Sequence, residues 1–274
     1  MTHLHRRQLL ALLASAALPL GSTAQTSKTQ GRLIIIGGAE DRQQDRIILR
    51  KFLELSGGSN AKIRVITAAS GVPDVVWASY QAVFQDLGAR NCEVVPMLTR
   101  EDASEPNVVS LLAEANGIFI TGGDQNRLMQ CLWESPAAQA MHRAFHLNNT
   151  CIAGTSAGAA VMSRHMLAQG TPTATPEKDV VSMDIGLSFM PNAIVDQHFS
   201  QRHRLSRLLS ALAQRPDLLG VGIDEDTALL IEPNQSLEIV GRGAVTLVDP
   251  RRMRSNLDTI GEGDKLEMLG LQLH

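Results

Sequence analysis

The sequence predicts an α/β fold built on a mostly parallel sheet. Short β-branched runs alternate with stretches of helical periodicity, and several of those runs stop at paired small residues. A length of 274 residues is enough for one domain with a well-buried core. Arg32-Leu33-Ile34-Ile35-Ile36 is the first buried-strand candidate and ends in Gly37-Gly38. Lys62 to Thr67 is the second, followed by helical periodicity around Tyr80 to Leu87. Cys92 to Met97 is the third, and Gly117 to Thr121 the fourth, ending in Gly122-Gly123. Thr150 to Gly154 is the fifth and runs straight into Ser156.

After Arg164 the pattern loosens, and the Thr- and Pro-rich stretch from Gly170 to Val180 reads as a loop. Asn192 to Phe199 is extended again. Gln201 to Gln214 has helical spacing, with Leu205, Leu208, Leu209 and Leu212 on the inward face. Leu219 to Asp224, Ala228 to Ile231, Leu237 to Val240 and Ala244 to Val248 read as further strands, several of them antiparallel, and Leu266 to Leu273 as a last strand. No internal repeat or linker divides the chain, so residues 25–274 are expected to form a single domain.

Residues 1–24 read as a cleaved export signal. Arg6 and Arg7 form a basic start, Leu9 to Leu20 is too short an apolar run to span a bilayer, and Ser22-Thr23-Ala24 offers a cleavage site. The expected destination is the periplasm or the medium. Removing that segment would take the formal net charge from −3 to −5, since it holds two arginines and no acids. A mildly acidic chain with 3% aromatics gives no reason to expect nucleic-acid binding. Cys92, Cys131 and Cys151 are too few for a disulfide framework and sit among apolar residues, which suits buried structural thiols. No metal-ligand spacing, phosphate loop or dinucleotide fingerprint occurs, so no cofactor is expected.

Gly154-Thr155-Ser156-Ala157-Gly158 fits a nucleophile elbow. An apolar strand leads in and a small-residue helix leads out, which lifts Ser156 to the carboxyl edge of the sheet and aims helix N–H groups at a developing oxyanion. A base and an acid must come from elsewhere. His198, in Asp196-Gln197-His198-Phe199, closes an extended segment at the edge where open α/β sheets build sites, with His203 as the competitor. Asp224, Glu225 and Asp226 close another strand, and spacing does not choose among them.

Five motifs, taken in order, carry a resemblance. They are Gly37-Gly38-Ala39-Glu40-Asp41, Gly122-Gly123-Asp124-Gln125, the elbow with Ala159, Asp196-Gln197-His198-Phe199, and Gly222-Ile223-Asp224-Glu225-Asp226-Thr227-Ala228. Together, over roughly residues 32 to 231, they resemble the cyanophycinases, of the serine peptidase family that includes peptidase E. The resemblance implies a class I glutamine amidotransferase-like (flavodoxin-like) three-layer fold and a triad of Ser156, His198 and Glu225, Asp224 remaining the alternative acid. It also implies an oxyanion hole from the Gly123 and Ala157 N–H groups. Substrate contacts would fall on Gln125, Asp196, Gln197, Arg202, Arg204 and Arg207, and the molecule would be a homodimer. The implied substrate is cyanophycin, a poly-aspartate backbone carrying arginine on each β-carboxyl, and the implied product is the β-aspartyl-arginine dipeptide. Arginine forks suit the α-carboxylates that such a polymer presents. An aspartyl or isoaspartyl dipeptidase, or a non-catalytic binding protein of this fold, are the competing readings. An ordinary α/β-hydrolase places its acid before its histidine, the reverse of the order found here.

Overall fold

The computed structural model describes residues 30–274, and the expected export segment lies outside the described residues. The first half lays down β1 (Leu33–Ile36), α1 (Ile47–Leu55), β2 (Lys62–Ile66), α2 (Pro73–Asp86), β3 (Asn91–Val94), α3 (Pro106–Ala113), β4 (Gly117–Ile120), α4 (Gln125–Leu132), α5 (Pro136–Leu147) and β5 (Cys151–Thr155). A single-turn helix, α6 (Ala157–Ala160), follows the elbow. The second half adds β6 (His165–Gly170), β7 (Val181–Ile185), β8 (Ala193–Gln197), α7 (Leu205–Gln214), β9 (Leu219–Ile223), β10 (Thr227–Ile231), β11 (Leu237–Gly241) and β12 (Val245–Asp249). The short strands β13 (Arg254–Ser255), β14 (Met268–Leu269) and β15 (Gln272–Leu273) complete it.

β1 to β5 are parallel and form the centre of a seven-stranded sheet, ordered β11-β10-β1-β5-β4-β2-β3, with β10 and β11 antiparallel at one side. The central strands are buried on both faces, as parallel strands covered by crossover helices must be. Alternate side chains serve opposite layers. Ile35, Ile118, Ile120 and Ile152 pack toward Leu128 of α4 and Met141 and Phe145 of α5. Ile34, Ile36, Phe119 and Ala153 pack toward Phe52 of α1 and Phe84 of α2. In this aromatic-poor chain, Phe52, Tyr80, Phe84 and Phe119 are gathered into one cluster on that second face, Phe52 and Phe119 meeting edge-on at 5.4 Å.

Several C-terminal expectations need correction. The later strands divide: β10 and β11 join the central sheet, whereas β8, β9, β12 and β15 form a separate four-stranded sheet with β8 and β9 parallel. Val195 and Val221 of that sheet join the main core, while Ile194 and Val248 face Leu208 and Leu212 of α7. The helix begins at Leu205 rather than Gln201, and Leu205 is 41% exposed instead of inward-facing. The third strand stops at Val94, the terminal strand is broken into β14 and β15, and β6 with β7 forms a hairpin flanking the expected loop. No helix among the described residues is long and apolar enough to cross a membrane.

The register aligns Ile36 with Thr155 and Ile120 with Gly154. The carboxyl ends of β1, β4 and β5 therefore meet at one edge, bringing Gly37-Gly38, Gly122-Gly123 and Ser156 together. β8 and β9 deliver Gln197 and Ile223 side by side, so the residues that follow them, His198 and Asp224-Glu225, emerge as neighbours.

Candidate active site

Ser156 caps the N-terminus of α6 with φ 54 and ψ −113, a backbone conformation that L-residues rarely adopt. Such strain costs on the order of 1–3 kcal/mol and must be held by its surroundings. One restraint is the Ser156 N–H, which donates to the Ile36 carbonyl at 3.1 Å. The side chain is thereby turned out of the sheet edge, and its Oγ lies 2.9 Å from His198 Nε2.

His198 follows β8 and also has a positive φ, 49. Its N–H donates to the Gly37 carbonyl at 2.7 Å, and the next N–H, of Phe199, donates to the Ile223 carbonyl at 3.1 Å. The ring rests on Gly38, whose φ is +102 and where a Cβ would stand 2.3 Å from His198 Cε1. Only glycine meets both demands. On its other nitrogen, His198 Nδ1 lies 2.6 Å from Glu225 Oε1. A carboxylate there calls for Nδ1–H, which leaves the Nε2 lone pair for the serine hydroxyl. Burial holds the His198 pKa below its ordinary 6.5, the Glu225 hydrogen bond opposes that, and Arg202 reinforces it. The ring is consequently neutral at pH 7, as a general base must be.

The acidic turn divides its work. Asp224 accepts from the Ser200 N–H at 3.0 Å and the Ala244 N–H at 3.1 Å, so its carboxylate is used within the turn. Asp226 accepts from the Asp41 N–H at 2.8 Å. Glu225 alone of the three reaches the imidazole, with its own N–H held by Gln201 Oε1 at 3.0 Å. His203 is exposed and lines a separate cleft with Ser200, Leu205 and Asp224.

Ala157 follows Ser156 directly, and Gly123 comes near it through its neighbour Gly122, where a Cβ would stand 3.1 Å from Ser156 Cβ. Gly123 has φ +143, and a Cβ on it would stand 2.1 Å from the Ala69 carbonyl oxygen. Among the described residues, neither the Gly123 nor the Ala157 N–H donates to a protein acceptor, which leaves both free for an oxygen of substrate.

The expected substrate contacts separate into three groups. Gln125 opens α4 and donates through Nε2 to the Leu167 and Ala168 carbonyls at 3.1 and 2.8 Å, tying α4 to β6. Arg202 is exposed beside His198. Asp196, Arg204 and Arg207 form one buried group. Asp196 is fully buried and takes a two-pronged contact from Arg207, Nε at 3.0 Å and Nη2 closer, with Arg204 Nη1 at 3.4 Å. Two guanidinium groups thus share one carboxylate, and burial followed by repulsion from Arg207 brings the Arg204 pKa down to about 10. Arg204 Nε and Gln197 Oε1 are buried without a protein partner. A buried group with surplus positive charge and an unspent donor is suited to an anion.

Glu40, within the Gly37-Gly38-Ala39-Glu40-Asp41 motif, lies next to the site. Glu40 is 4% exposed and accepts from both Tyr80 Oη and Thr155 Oγ1, directly beneath the elbow. The sequence carries no periodicity that could reveal this, because the three residues are far apart in the chain. The cysteines are unpaired. Cys151 is fully buried and its thiol is pushed up to about 12, which makes it inert, as expected of a structural thiol.

The model of peptidase family S51 matches residues 33–239. Curated relatives include the cyanophycinase of a Nostoc species, 39% identical over 98% of this chain and 90% of that one. The cyanophycinase of Geminocystis herdmanii is 37% identical over 88% of this chain and 89% of that one. Among solved structures, a peptidase from an acI-B1 Actinobacterium superposes with a TM-score of 0.61 at 22% identity, covering 88% of this chain and 94% of the other. A putative peptidase E from Listeria monocytogenes gives a TM-score of 0.54 at 16% identity, covering 78% and 100% respectively. These structures share the flavodoxin-like, glutamine amidotransferase-like arrangement of a mostly parallel sheet between helical layers.

Proposed function

The chain belongs to peptidase family S51 and is a serine-type peptidase, and from that premise we propose that it hydrolyses the aspartate backbone of cyanophycin to β-aspartyl-arginine dipeptides. The observation that carries the catalytic part is the continuous line from Ser156 Oγ through the His198 ring to Glu225, with contacts of 2.9 and 2.6 Å. In this reading Ser156 Oγ attacks the scissile carbonyl carbon while His198 Nε2 takes its proton. The oxyanion receives hydrogen bonds from the Gly123 and Ala157 N–H groups. The C–N bond then breaks, the imidazolium returns the proton to the leaving amine, and an ester to Ser156 remains. Water attacks that ester, His198 accepts its proton and passes it to Ser156 Oγ, and the acid product leaves. Glu225 holds the Nδ1–H tautomer and faces the imidazolium while it is charged.

The substrate part rests on the relatives named cyanophycinase and on the charge of the arginine group. Each unit of that polymer carries an arginyl α-carboxylate. The Asp196–Arg204–Arg207 group supplies the surplus positive charge to attract it, and Arg202 adds an exposed cation beside the base. We further propose that residues 1–24 direct export, which would place the peptidase where released polymer is found, and that the protein works as a homodimer.

Incubating the mature protein and its Ser156→Ala variant with purified cyanophycin, and separately with aspartyl and β-aspartyl dipeptides, tests the proposal. Dipeptide release from polymer by the unaltered protein alone is the expected result. Cleavage of short peptides only would assign a dipeptidase of the same family, and polymer cleavage by Ser156→Ala would remove Ser156 as nucleophile.

A further inference from the structure

The turn that follows β1 touches every segment that carries a member of the Ser156–His198–Glu225 line. Ile36 accepts from the Ser156 N–H at 3.1 Å, and Gly37 accepts from the His198 N–H at 2.7 Å. Gly38 lies under the imidazole and accepts from the Asp226 N–H at 2.9 Å, and Asp41 donates its N–H to the Asp226 side chain at 2.8 Å. Glu40 sits between these contacts and turns inward. Its carboxyl group is buried under the elbow, where one oxygen accepts from Tyr80 Oη and the other from Thr155 Oγ1.

This is an expensive arrangement for a purely structural job. Among the described residues no cation forms an ion pair with Glu40, and Arg42 instead lies over the Tyr80 ring, 5.2 Å from its centroid. A buried carboxyl group loses its hydration, and only hydrogen bonds from well-placed donors offset that loss. Here both donors are hydroxyls. One belongs to the aromatic cluster that anchors the α1–α2 face of the sheet, and the other to the residue immediately before the strained Ser156. The carboxyl group therefore joins a rigid part of the core to the last strand residue before the nucleophile.

We infer that Glu40 is a positioning residue, fixing Thr155 and through it the direction of Ser156 Oγ toward His198. The inference rests on Ser156 acting as the nucleophile. Glu40 touches no reacting atom, so its effect must be transmitted through Thr155. Shifting the elbow by a fraction of an ångström would spoil the line from Oγ to Nε2, and misplacement on the scale of 1 Å costs ~10²-fold in rate. Losing the Thr155 contact is therefore expected to slow attack by Ser156 by ~10-fold to ~100-fold.

Serine labelling by a fluorophosphonate reports that attack without needing the natural substrate. The unaltered protein, Ser156→Ala, Glu40→Gln, Thr155→Val and Thr155→Ser would be compared for the labelling rate per folded molecule, with melting temperature recorded beside it. Thr155→Val keeps the shape and deletes the hydroxyl, and Thr155→Ser restores a hydroxyl donor. The expected result is slow labelling in Glu40→Gln and Thr155→Val, and recovery of most of the rate in Thr155→Ser. If Thr155→Val labels at the unaltered rate while folded, Glu40 is only core glue and the inference fails. If the unaltered protein is not labelled, or Ser156→Ala still is, the nucleophile assignment itself fails instead.

Discussion

Replacing Gly38 with alanine is expected to disable the base while leaving the protein folded. An added Cβ would stand 2.3 Å from His198 Cε1 and 2.5 Å from Nε2. Carbon atoms in good contact are about 3.5–4.0 Å apart, so the ring must withdraw by about 1 Å or the turn must open by that amount. The Ser156 contact to Nε2 is 2.9 Å, and the added Cβ would crowd that same nitrogen. A displacement of that size removes it, and catalysis should fall by ~10²-fold or more. The residue also has φ +102, where a side chain adds about 1–2 kcal/mol of strain. For a protein of this size that lowers the melting temperature by roughly 2–8 °C. Steady-state hydrolysis and calorimetry on the same preparation check both parts. A Gly38→Ala protein that melts a few degrees lower yet hydrolyses at the original rate would refute the packing argument for the imidazole.

Five further outcomes follow from the same geometry. Glu225→Gln should lower kcat by ~10³–10⁴-fold by removing the tautomer-fixing carboxylate. Asp224→Asn should instead cost about 1–3 kcal/mol of stability, measured by urea unfolding, since that side chain serves backbone N–H groups. The base must be neutral to act, so kcat/KM should rise with pH along an acid limb whose midpoint lies below 6.5, because burial depresses the His198 pKa. Arg202→Ala removes a neighbouring charge that helps that depression and should move the limb to higher pH. Arg207→Ala removes the closer partner of the buried Asp196 carboxylate, leaving the 3.4 Å contact from Arg204, and should destabilise the protein by about 1–3 kcal/mol in denaturant titrations.

The first half of the fold was legible because its signals are local. Ile34-Ile35-Ile36 and Gly117-Ile118-Phe119-Ile120 are apolar through and through, as buried parallel strands require, and each ends at glycines that open the site. The elbow was legible for the same reason, since strand, turn and helix are contiguous. The second half was harder. The β6–β7 hairpin carries a register shift between Leu167 and Gln169 and a mix of polar and apolar residues, so no alternation announced it. The division into two sheets depends on which face Val195 and Ile194 choose, and that is decided by what packs against them. Leu205 has a helix-face spacing like Leu208 and Leu212 but is the first residue of α7 and is exposed, while Ser206, Arg207 and Leu208 after it are buried.

Within the site, a similar line divides the readable from the unreadable. Spacing could place Asp224, Glu225 and Asp226 at a strand end but could not say which carboxylate turns toward the histidine. The structure gives Asp224 to two backbone N–H groups and Glu225 to the ring. Arg204 and Arg207 are legible as forks suited to carboxylates, yet their sharing of Asp196 needs β8 and α7 to be docked. Glu40 is legible as part of the Gly37-Gly38-Ala39-Glu40-Asp41 motif, whereas its link to Tyr80 and Thr155 exists only in three dimensions.

The central claim is that Ser156 carries the acyl group during turnover. Acid-quenching the protein while it digests cyanophycin, followed by proteolysis and mass measurement of the fragment containing Ser156, tests it most directly. This fragment is expected to gain the mass of one or more β-aspartyl-arginine units in ester linkage, and that of His198→Ala to gain none. Rapid polymer cleavage with an unmodified Ser156 and an acyl adduct on another residue would contradict it.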